Sequence, residues 1–215
     1  MFETTRLILR GYHPSDEGFF FSLYNEYNVL VNLTEGYATP SPDAHRQRLE
    51  AMVRCGLFVV IVDKESGQTM GFTLLQLHAA KDADADLGIG LSEKWWGKGY
   101  GTEVMEWLIQ YAFDGMALRR LSLYVLQSNP RAVALYEKLG FKHEGRQRES
   151  VWKEGRYVDK IWMGLLKSEY RGEEGHKAGQ PRTPSIPENT PCMDLQPGRI
   201  AHERCRRDDK AKIQT

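Results

Sequence analysis

Residues 97–102 are the part of the chain whose residue types and spacing have the clearest chemical use. They read Gly97-Lys98-Gly99-Tyr100-Gly101-Thr102 and stand between an apolar stretch typical of a strand and a helical pattern. Glycine lets backbone N–H groups converge on an anion, and the start of a helix adds unpaired donors and a partial positive charge. The segment therefore predicts a binding site for a ligand that carries a pyrophosphate.

Two other phosphate-binding motifs do not fit this segment. The P-loop pattern G-x-x-x-x-G-K-[ST] needs Ser or Thr directly after the lysine, but Gly99 follows Lys98. The dinucleotide fingerprint G-x-G-x-x-G needs a wider final spacing than the single residues that separate these glycines. A glycine-rich turn with a purely steric role remains the alternative, because short glycine motifs are weak signals.

A second block, Asn129–Phe141, follows the next predicted strand and reads N-P-R-A-V-A-L-Y-E-K-L-G-F. Asn129 is a favourable N-cap, and Pro130 lacks its N–H at a helical position where no partner is needed. Gly140 favours an end to the helix. Both blocks therefore lie where a strand passes into a helix.

The elements that must hold these blocks alternate between strand and helix. Strands are predicted from apolar alternation or short apolar runs at Arg6–Arg10, Phe58–Val62, Met70–Leu75, Asp86–Leu91, Leu121–Leu126, Gln147–Lys153 and Tyr157–Leu165. Helices are predicted after an N-cap at Ser15, from Ser41-Pro42-Asp43, over Tyr100–Phe113 and over Pro130–Leu139. This order predicts a mixed α/β fold with helices on both faces of one sheet.

The composition changes near residue 170. Residues 171–215 contain no Phe, Tyr or Trp but hold five of the nine prolines. Such a segment buries too little apolar surface to offset its ordering entropy, so we predict a folded domain at 1–170 and a disordered, dispensable tail at 171–215. A chain ending at Ser168 or Tyr170 is expected to keep its stability. Cys192, His202 and Cys205 match no zinc spacing, so no metal is expected.

Charge and hydropathy narrow the classes of partner. Lys and Arg together number 29, as do Asp and Glu, so no net charge favours nucleic acid. Charges interrupt the N-terminal residues, and no apolar run is long enough to span a bilayer. We expect a cytoplasmic monomer or homodimer that binds neither nucleic acid nor membrane.

Together the two blocks closely resemble the GNAT family of N-acetyltransferases. The family's phosphate loop reads [Q/R]-x-x-G-x-[G/A], here Trp96-Gly97-Lys98-Gly99-Tyr100-Gly101, with Trp96 in place of Gln or Arg. The family's second block reads N-x-x-A-x-x-L-Y-x-x-x-G-F, and Asn129–Phe141 fills every fixed position. Thr5–Arg10 and Gly155–Asp159 are similar to the branch that includes ribosomal-protein acetyltransferases. The resemblance covers residues 3–168.

The resemblance implies a GNAT-type sheet with splayed strands and acetyl-CoA as co-substrate. It assigns the pyrophosphate to the backbone amides of Gly97, Lys98, Gly99, Tyr100, Gly101 and Thr102. It pairs the pantetheine arm with the backbone of Ile89, Gly90 and Leu91, at the end of the fourth predicted strand. It places Asn129 near the thiol arm, although a simple N-cap role is an equal alternative.

The same resemblance suggests the catalytic groups. Tyr136 stands where the family has its proton donor to the departing thiolate, and an apolar packing role is the alternative. Asp86, two residues before Gly88, is the candidate base, and a solvent-facing strand-end Asp is the alternative. N-terminal-amine acetylases have Glu where this chain has Tyr124, which leaves that specificity in doubt.

The sequence leaves alternatives for the identity of the acceptor and for the reaction that the protein performs. The acceptor, a small amine or a protein, is expected to be read by residues 25–40 and by the closing hairpin, neither of which has an acid cluster suited to a polyamine. A non-catalytic acyl-CoA-binding regulatory domain and a transferase of longer acyl groups are competing functions. Three histidines of the domain, His13, His78 and His143, lie outside both blocks and are interpreted as surface or satisfied side chains.

Overall fold

The computed structural model describes residues 1–36 and 42–170, so the predicted tail lies outside the described residues. These residues form eight strands: β1 (Phe2–Glu3), β2 (Leu7–Arg10), β3 (Gly56–Asp63), β4 (Thr69–Leu77), β5 (Asp84–Leu91), β6 (Arg120–Leu126), β7 (Lys142–Lys153) and β8 (Arg156–Leu166). The same described residues form five α-helices: α1 (Glu17–Asn25), α2 (Tyr27–Leu33), α3 (Pro42–Val53), α4 (Tyr100–Gln110) and α5 (Pro130–Lys138). The mixed α/β class is confirmed.

All eight strands form one sheet in the order β1-β2-β3-β4-β5-β6-β8-β7. Neighbours are antiparallel except for β5 and β6, which run parallel. Their pairing ends early, with Asp84 opposite Arg120, Ala85 opposite Leu121 and Asp86 opposite Ser122. Beyond Asp86 the two strands diverge, and the edge of β5 that faces β6 has no strand partner among the described residues.

Helices cover the two faces of the sheet. Val104, Leu108 and Ala112 lie on one side of α4 and its continuation and are fully buried, as their spacing predicts. Leu108 and Ala112, with α5, cover the face of β5, β6 and β8, while Val104 packs against β2 and β3. On the opposite face, α1, α2 and α3 pack against β3 and β4. On this face of β6 and β8, the side chains of Tyr124 and Trp162 are exposed in the described part of the chain.

Some local predictions need correction. Ser15 is not the N-cap of α1, because Pro14–Asp16 form a separate 3-10 turn whose cap is His13, and Asp16 precedes α1. Asp16 instead accepts two hydrogen bonds of 2.7 Å from Arg10, which fixes the turn to β2. The short helix α2 was not predicted. Within residues 1–36 and 42–170, no helix is long and apolar enough to cross a membrane.

An aromatic contact holds the last described residue against the rest of the fold. The ring of Tyr170 lies 5.5 Å from that of Phe113, centroid to centroid. We expect a chain ending at Tyr170 to keep the melting temperature of the full chain. The contact corrects the expectation for a chain ending at Ser168, which loses this ring pair, worth about 0.5–1.5 kcal/mol, and should melt about 1–6 °C lower. Calorimetry checks both, and Tyr170→Ala in the full chain should reproduce the loss. Equal melting of both truncated chains would contradict the assigned contact.

Candidate active site

The glycine-rich loop between β5 and α4 presents a row of free backbone donors. Gly97 and Gly99 have φ angles of +73° and +81°, a left-handed conformation that favours glycine. Gly99 precedes α4 without a side-chain cap. Among the described residues, none accepts a hydrogen bond from the backbone N–H groups of residues 97–102. Six donors at a helix N-terminus fit a pyrophosphate, which supplies acceptors and negative charge.

The segment between β1 and β2 braces the loop. Arg6 donates to the carbonyl of Lys98 at 3.1 Å, and its guanidinium carbon lies 4.2 Å from the centroid of the Tyr100 ring. Its Nε also forms an ion pair of 2.7 Å with Glu103, which accepts a further bond of 2.6 Å from Thr4. Partial burial opposes ionisation of Glu103, but Thr4 and Arg6 outweigh it and lower its pKa. Arg6 thus neutralises a carboxylate in the first turn of α4.

Trp96, the departure from the family pattern, has a structural role of its own. Its indole N–H donates to the carbonyl of Leu91 at 2.7 Å, which joins the loop to the end of β5. The guanidinium carbon of Arg131 lies 4.6 Å from the centroid of the Trp96 ring. This cation–π contact brings a positive charge from α5 to the position where the family has Gln or Arg.

The backbone of Ile89, Gly90 and Leu91 lies on the diverging part of β5. On one side these residues pair with β4, where Leu91 is opposite Gly71. A Cβ atom at Gly71 would lie 2.0 Å from the carbonyl oxygen of Gly90, so this close approach requires glycine. On the other side the pairing with β6 has already ended. The predicted pantetheine edge is therefore open to a ligand.

Asn129 has the geometry of an N-cap. Its Oδ1 accepts a hydrogen bond from the backbone N–H of Ala132 at 3.2 Å. Its side-chain amide N–H groups have no acceptor among the described residues. The cap role and a role as hydrogen-bond donor to a ligand are therefore compatible.

Tyr136 lies on α5 and is 7% exposed. It packs in the same core as Leu87 and Leu123, the residues at which β5 and β6 begin to diverge. Its phenol has no hydrogen-bond partner within residues 1–36 and 42–170. Burial raises its pKa to about 12, so it keeps its proton at neutral pH.

Asp86 lies on the opposite face of β5 from Tyr136. Ala85 and Leu87 point into the core that holds Tyr136, and side chains alternate along a strand. The Asp86 carboxylate lies 3.3 Å from Nε2 of His78. Burial raises the pKa of Asp86, although the neighbouring charge of His78 opposes the shift.

His78 connects two carboxylates at this point, because its Nδ1 lies 3.2 Å from Asp84 while its Nε2 faces Asp86. Burial lowers the pKa of His78, but the two carboxylates outweigh it and raise the pKa above the ordinary value. The interpretation of His78 as a satisfied histidine missed its place beside the candidate base. The pairing register of the β4–β5 hairpin, which places Leu77 opposite Ala85, could have predicted that His78 lies beside Asp84 and Asp86.

Sequence reasoning also missed a cluster around Tyr124. Tyr124 is 42% exposed, and its ring lies 5.4 Å from that of Trp162 on β8. Lys160 forms an ion pair of 2.6 Å with Glu35, and its Nζ lies 4.8 Å from the centroid of the Tyr124 ring. Burial and the hydrogen bond to Glu35 raise the pKa of Tyr124. Glu35 and Lys160 are far apart in sequence, so no local pattern predicts their contact.

Most of the folded part of the chain matches a known protein family. Residues 6–142 match the family described as "Acetyltransferase (GNAT) domain". The chain belongs to the GNAT family. The protein is therefore an N-acetyltransferase that uses acetyl-CoA, as the two motifs predicted. Within the described residues, no group of His, Cys, Asp and Glu side chains could hold a metal ion.

Individual relatives agree with this family. The chain is 31% identical to an uncharacterized N-acetyltransferase p20 of Bacillus licheniformis, over 79% of this chain and 97% of that protein. It is 32% identical to the putative ribosomal N-acetyltransferase YdaF of Bacillus subtilis, over 47% and 56%. The crystal structure of spermidine N-acetyltransferase from Vibrio cholerae in complex with CoA and spermine has a TM-score of 0.69 and 26% identity. That match covers 78% of this chain and 99% of the other.

The loop generates a prediction that separates charge from backbone strain. Gly99→Asp and Gly99→Asn have nearly the same shape, and both residues tolerate a positive φ better than most. We expect Gly99→Asp to lose at least about tenfold more affinity for acetyl-CoA than Gly99→Asn, because only Asp repels the pyrophosphate. Titration calorimetry on folded variants measures both affinities. Equal losses in the two variants would contradict a pyrophosphate site at this loop.

Proposed function

We propose that the enzyme transfers the acetyl group directly to an amine while both substrates are bound. The observation that carries this proposal is the placement of a proton donor and a proton acceptor on opposite faces of the sheet. Tyr136 lies on the α4–α5 face and Asp86 on the other, and both flank the point where β5 and β6 diverge. Neither residue has a side-chain arrangement typical of a covalent nucleophile.

Acetyl-CoA supplies a thioester whose carbonyl carbon accepts an amine. We propose that the N–H groups of residues 97–102 hold its pyrophosphate and that the open edge at Ile89–Leu91 holds its pantetheine arm. The free amide N–H groups of Asn129 provide a further donor near the thiol. Arg131, stacked on Trp96, adds a positive charge beside the loop. All of these groups lie at the carboxyl ends of β5 and β6, where open α/β sheets commonly bind ligands.

Tyr136 is suited to protonate the leaving sulfur. As the C–S bond breaks, its Oη donates a proton to the developing thiolate, whose conjugate acid has a pKa of about 8.5. A phenol with its pKa raised to about 12 stays protonated until that moment. Because the phenol is a weaker acid than the thiol, the phenolate left by the transfer regains a proton once the thiol product leaves and solvent enters. Burial also excludes water, which limits hydrolysis of the thioester.

Asp86 is suited to accept the proton of the attacking amine, directly or through a water molecule. Its side chain is 43% exposed, so an acceptor can reach it from the open face. Its raised pKa makes it a stronger base than an ordinary carboxylate. His78 holds the carboxylate in place and limits this rise.

The remaining part of the proposal concerns the cellular compartment, the oligomeric state and the partners of the enzyme. We propose a cytoplasmic monomer or homodimer that binds neither nucleic acid nor membrane. The balanced charge of the chain supports the first exclusion. Three cysteines, too few for a disulfide scaffold, support a reducing compartment.

The role of Tyr136 is tested by Tyr136→Phe, which keeps the ring but removes the proton. We expect kcat to fall by roughly 10- to 1,000-fold, while acetyl-CoA affinity and melting temperature change little. Tyr111→Phe, a partly buried ring stacked on Trp107, is the matched control and should keep full activity. Unchanged turnover in Tyr136→Phe, with product release shown not to be limiting, would assign Tyr136 to packing alone.

The role of Asp86 is tested by the pH dependence of kcat at saturating substrates. A base acts only when ionised, so kcat should fall as the pH drops through the raised pKa of Asp86. Asp86→Asn should reduce kcat by about 100- to 10,000-fold and remove this acidic limb. His78→Gln should move the limb to higher pH, because the cation that favours ionised Asp86 is gone. Asp84→Asn, the matched control on the same strand, should retain the limb. An acidic limb that persists in Asp86→Asn would exclude Asp86 as the base.

A further inference from the structure

The open face beside the divergence is the route by which an acceptor reaches Asp86. Leu121, Leu123 and Val125 point into the core that contains Tyr136, so Tyr124 between them points to the face of Asp86. Tyr124 and its register partner Trp162 are 42% and 39% exposed there. Because α4 and α5 cover the other face, the amine must approach over this pair of rings.

An ammonium group already lies in a cation site on this face. Lys160 is only 12% exposed, and its Nζ contacts the Glu35 carboxylate at 2.6 Å. The same Nζ lies 4.8 Å from the centroid of the Tyr124 ring. A carboxylate combined with an aromatic face is an arrangement by which proteins bind ligand cations. Here the chain's own lysine fills it.

The neighbouring charges add further cations. Lys153 is buried, and its Nζ donates to the carbonyls of Thr34 and Gly36, the second at 3.2 Å. Arg48 donates to the hydroxyl of Thr34 at 3.1 Å. The charged groups around the cation site balance, because three cations face three carboxylates: Arg48, Lys153, Lys160, Glu35, Glu154 and Asp86. A second ammonium group on an acceptor therefore meets a site whose Glu35 carboxylate is already occupied by the ammonium group of Lys160.

We propose that Lys160 is a specificity-determining residue that restricts the acceptor to amines carrying a single positive charge. Lys160 takes the position of a second ammonium group, so diamines and polyamines are excluded by repulsion and by the lack of a free carboxylate. This inference rests on the proposed N-acetyltransferase function and concerns only the choice of acceptor. The neighbouring rings of Tyr124 and Trp162 favour an acceptor with an apolar body.

The test compares acceptors that differ by one ammonium group. Hexylamine and hexamethylenediamine form the simplest pair, with spermidine as a third probe, and release of the coenzyme thiol gives kcat/KM. Wild-type enzyme should prefer hexylamine to the diamine by about tenfold or more, since like charges brought together cost at least this factor. Lys160→Met should raise kcat/KM for the diamine and spermidine by about tenfold while changing that for hexylamine less than about threefold.

A matched control uses another lysine that forms an ion pair of the same length in a different part of the structure. Lys142 forms an ion pair of 2.6 Å with Glu169 and is 65% exposed, so Lys142→Met should leave the acceptor ratio unchanged. If Lys160→Met does not fold, Lys160→Gln replaces it, and the wild-type ratio already tests the proposal. Equal use of the diamine and hexylamine by the wild type, or an unchanged ratio in a folded Lys160 variant, would overturn it. Absence of thiol release with every amine would instead overturn the transferase function itself.

Discussion

The early end of the pairing between β5 and β6 is the constraint on which the rest of the site depends. Only three residues of each strand pair before the strands diverge. On the other side of β5, Gly71 lets β4 approach the Gly90 carbonyl closely, so the diverging end of β5 stays paired with β4. It leaves an open strand edge, directs both following loops to one end of the sheet, and places the starts of α4 and α5 there. The proposed site for an extended anionic ligand therefore depends on sheet geometry, and the glycine-rich loop offers the donors that we assign to it.

Internal ion pairs decide which charges of the site remain available to substrates. Arg6 neutralises Glu103 beside the phosphate loop, His78 faces Asp86 beside the divergence, and Lys160 fills the carboxylate of Glu35 on the acceptor face. In the proposed site, the first pair keeps a negative charge away from the anionic coenzyme. The second holds the proposed base while limiting the rise of its pKa. The third pairs an anion that would otherwise lie free on the proposed path of the acceptor.

The parts of the structure that local chemistry determines could be predicted from the sequence. The Asn129 cap, the Pro130 start and the buried face of α4 depend on residues within one or two turns, and each lies where expected. The cap at Ser15 is wrong because Asp16 pairs with Arg10, a partner outside the helix that the helical pattern does not show. The same limit applies to the site. The glycine-rich loop is a contiguous motif, so it can be recognised in the sequence. The contacts of His78 depend on the register of β4 and β5, and the contact of Lys160 depends on Glu35, which is far away in sequence.

The difference in burial between the two proposed catalytic groups matches the difference between their tasks. Tyr136 must hold a proton until a thiolate appears, and burial without a hydrogen-bond partner among the described residues favours the neutral phenol. Asp86 must be charged when the amine arrives, and it lies at the edge of solvent beside His78, whose pKa is raised. Exchanging the two environments would disable both, because a carboxylate in the Tyr136 position would stay protonated and a phenol beside His78 would be too weak a base. The sheet therefore does more than position the two groups, since each face also sets the protonation state that its residue needs.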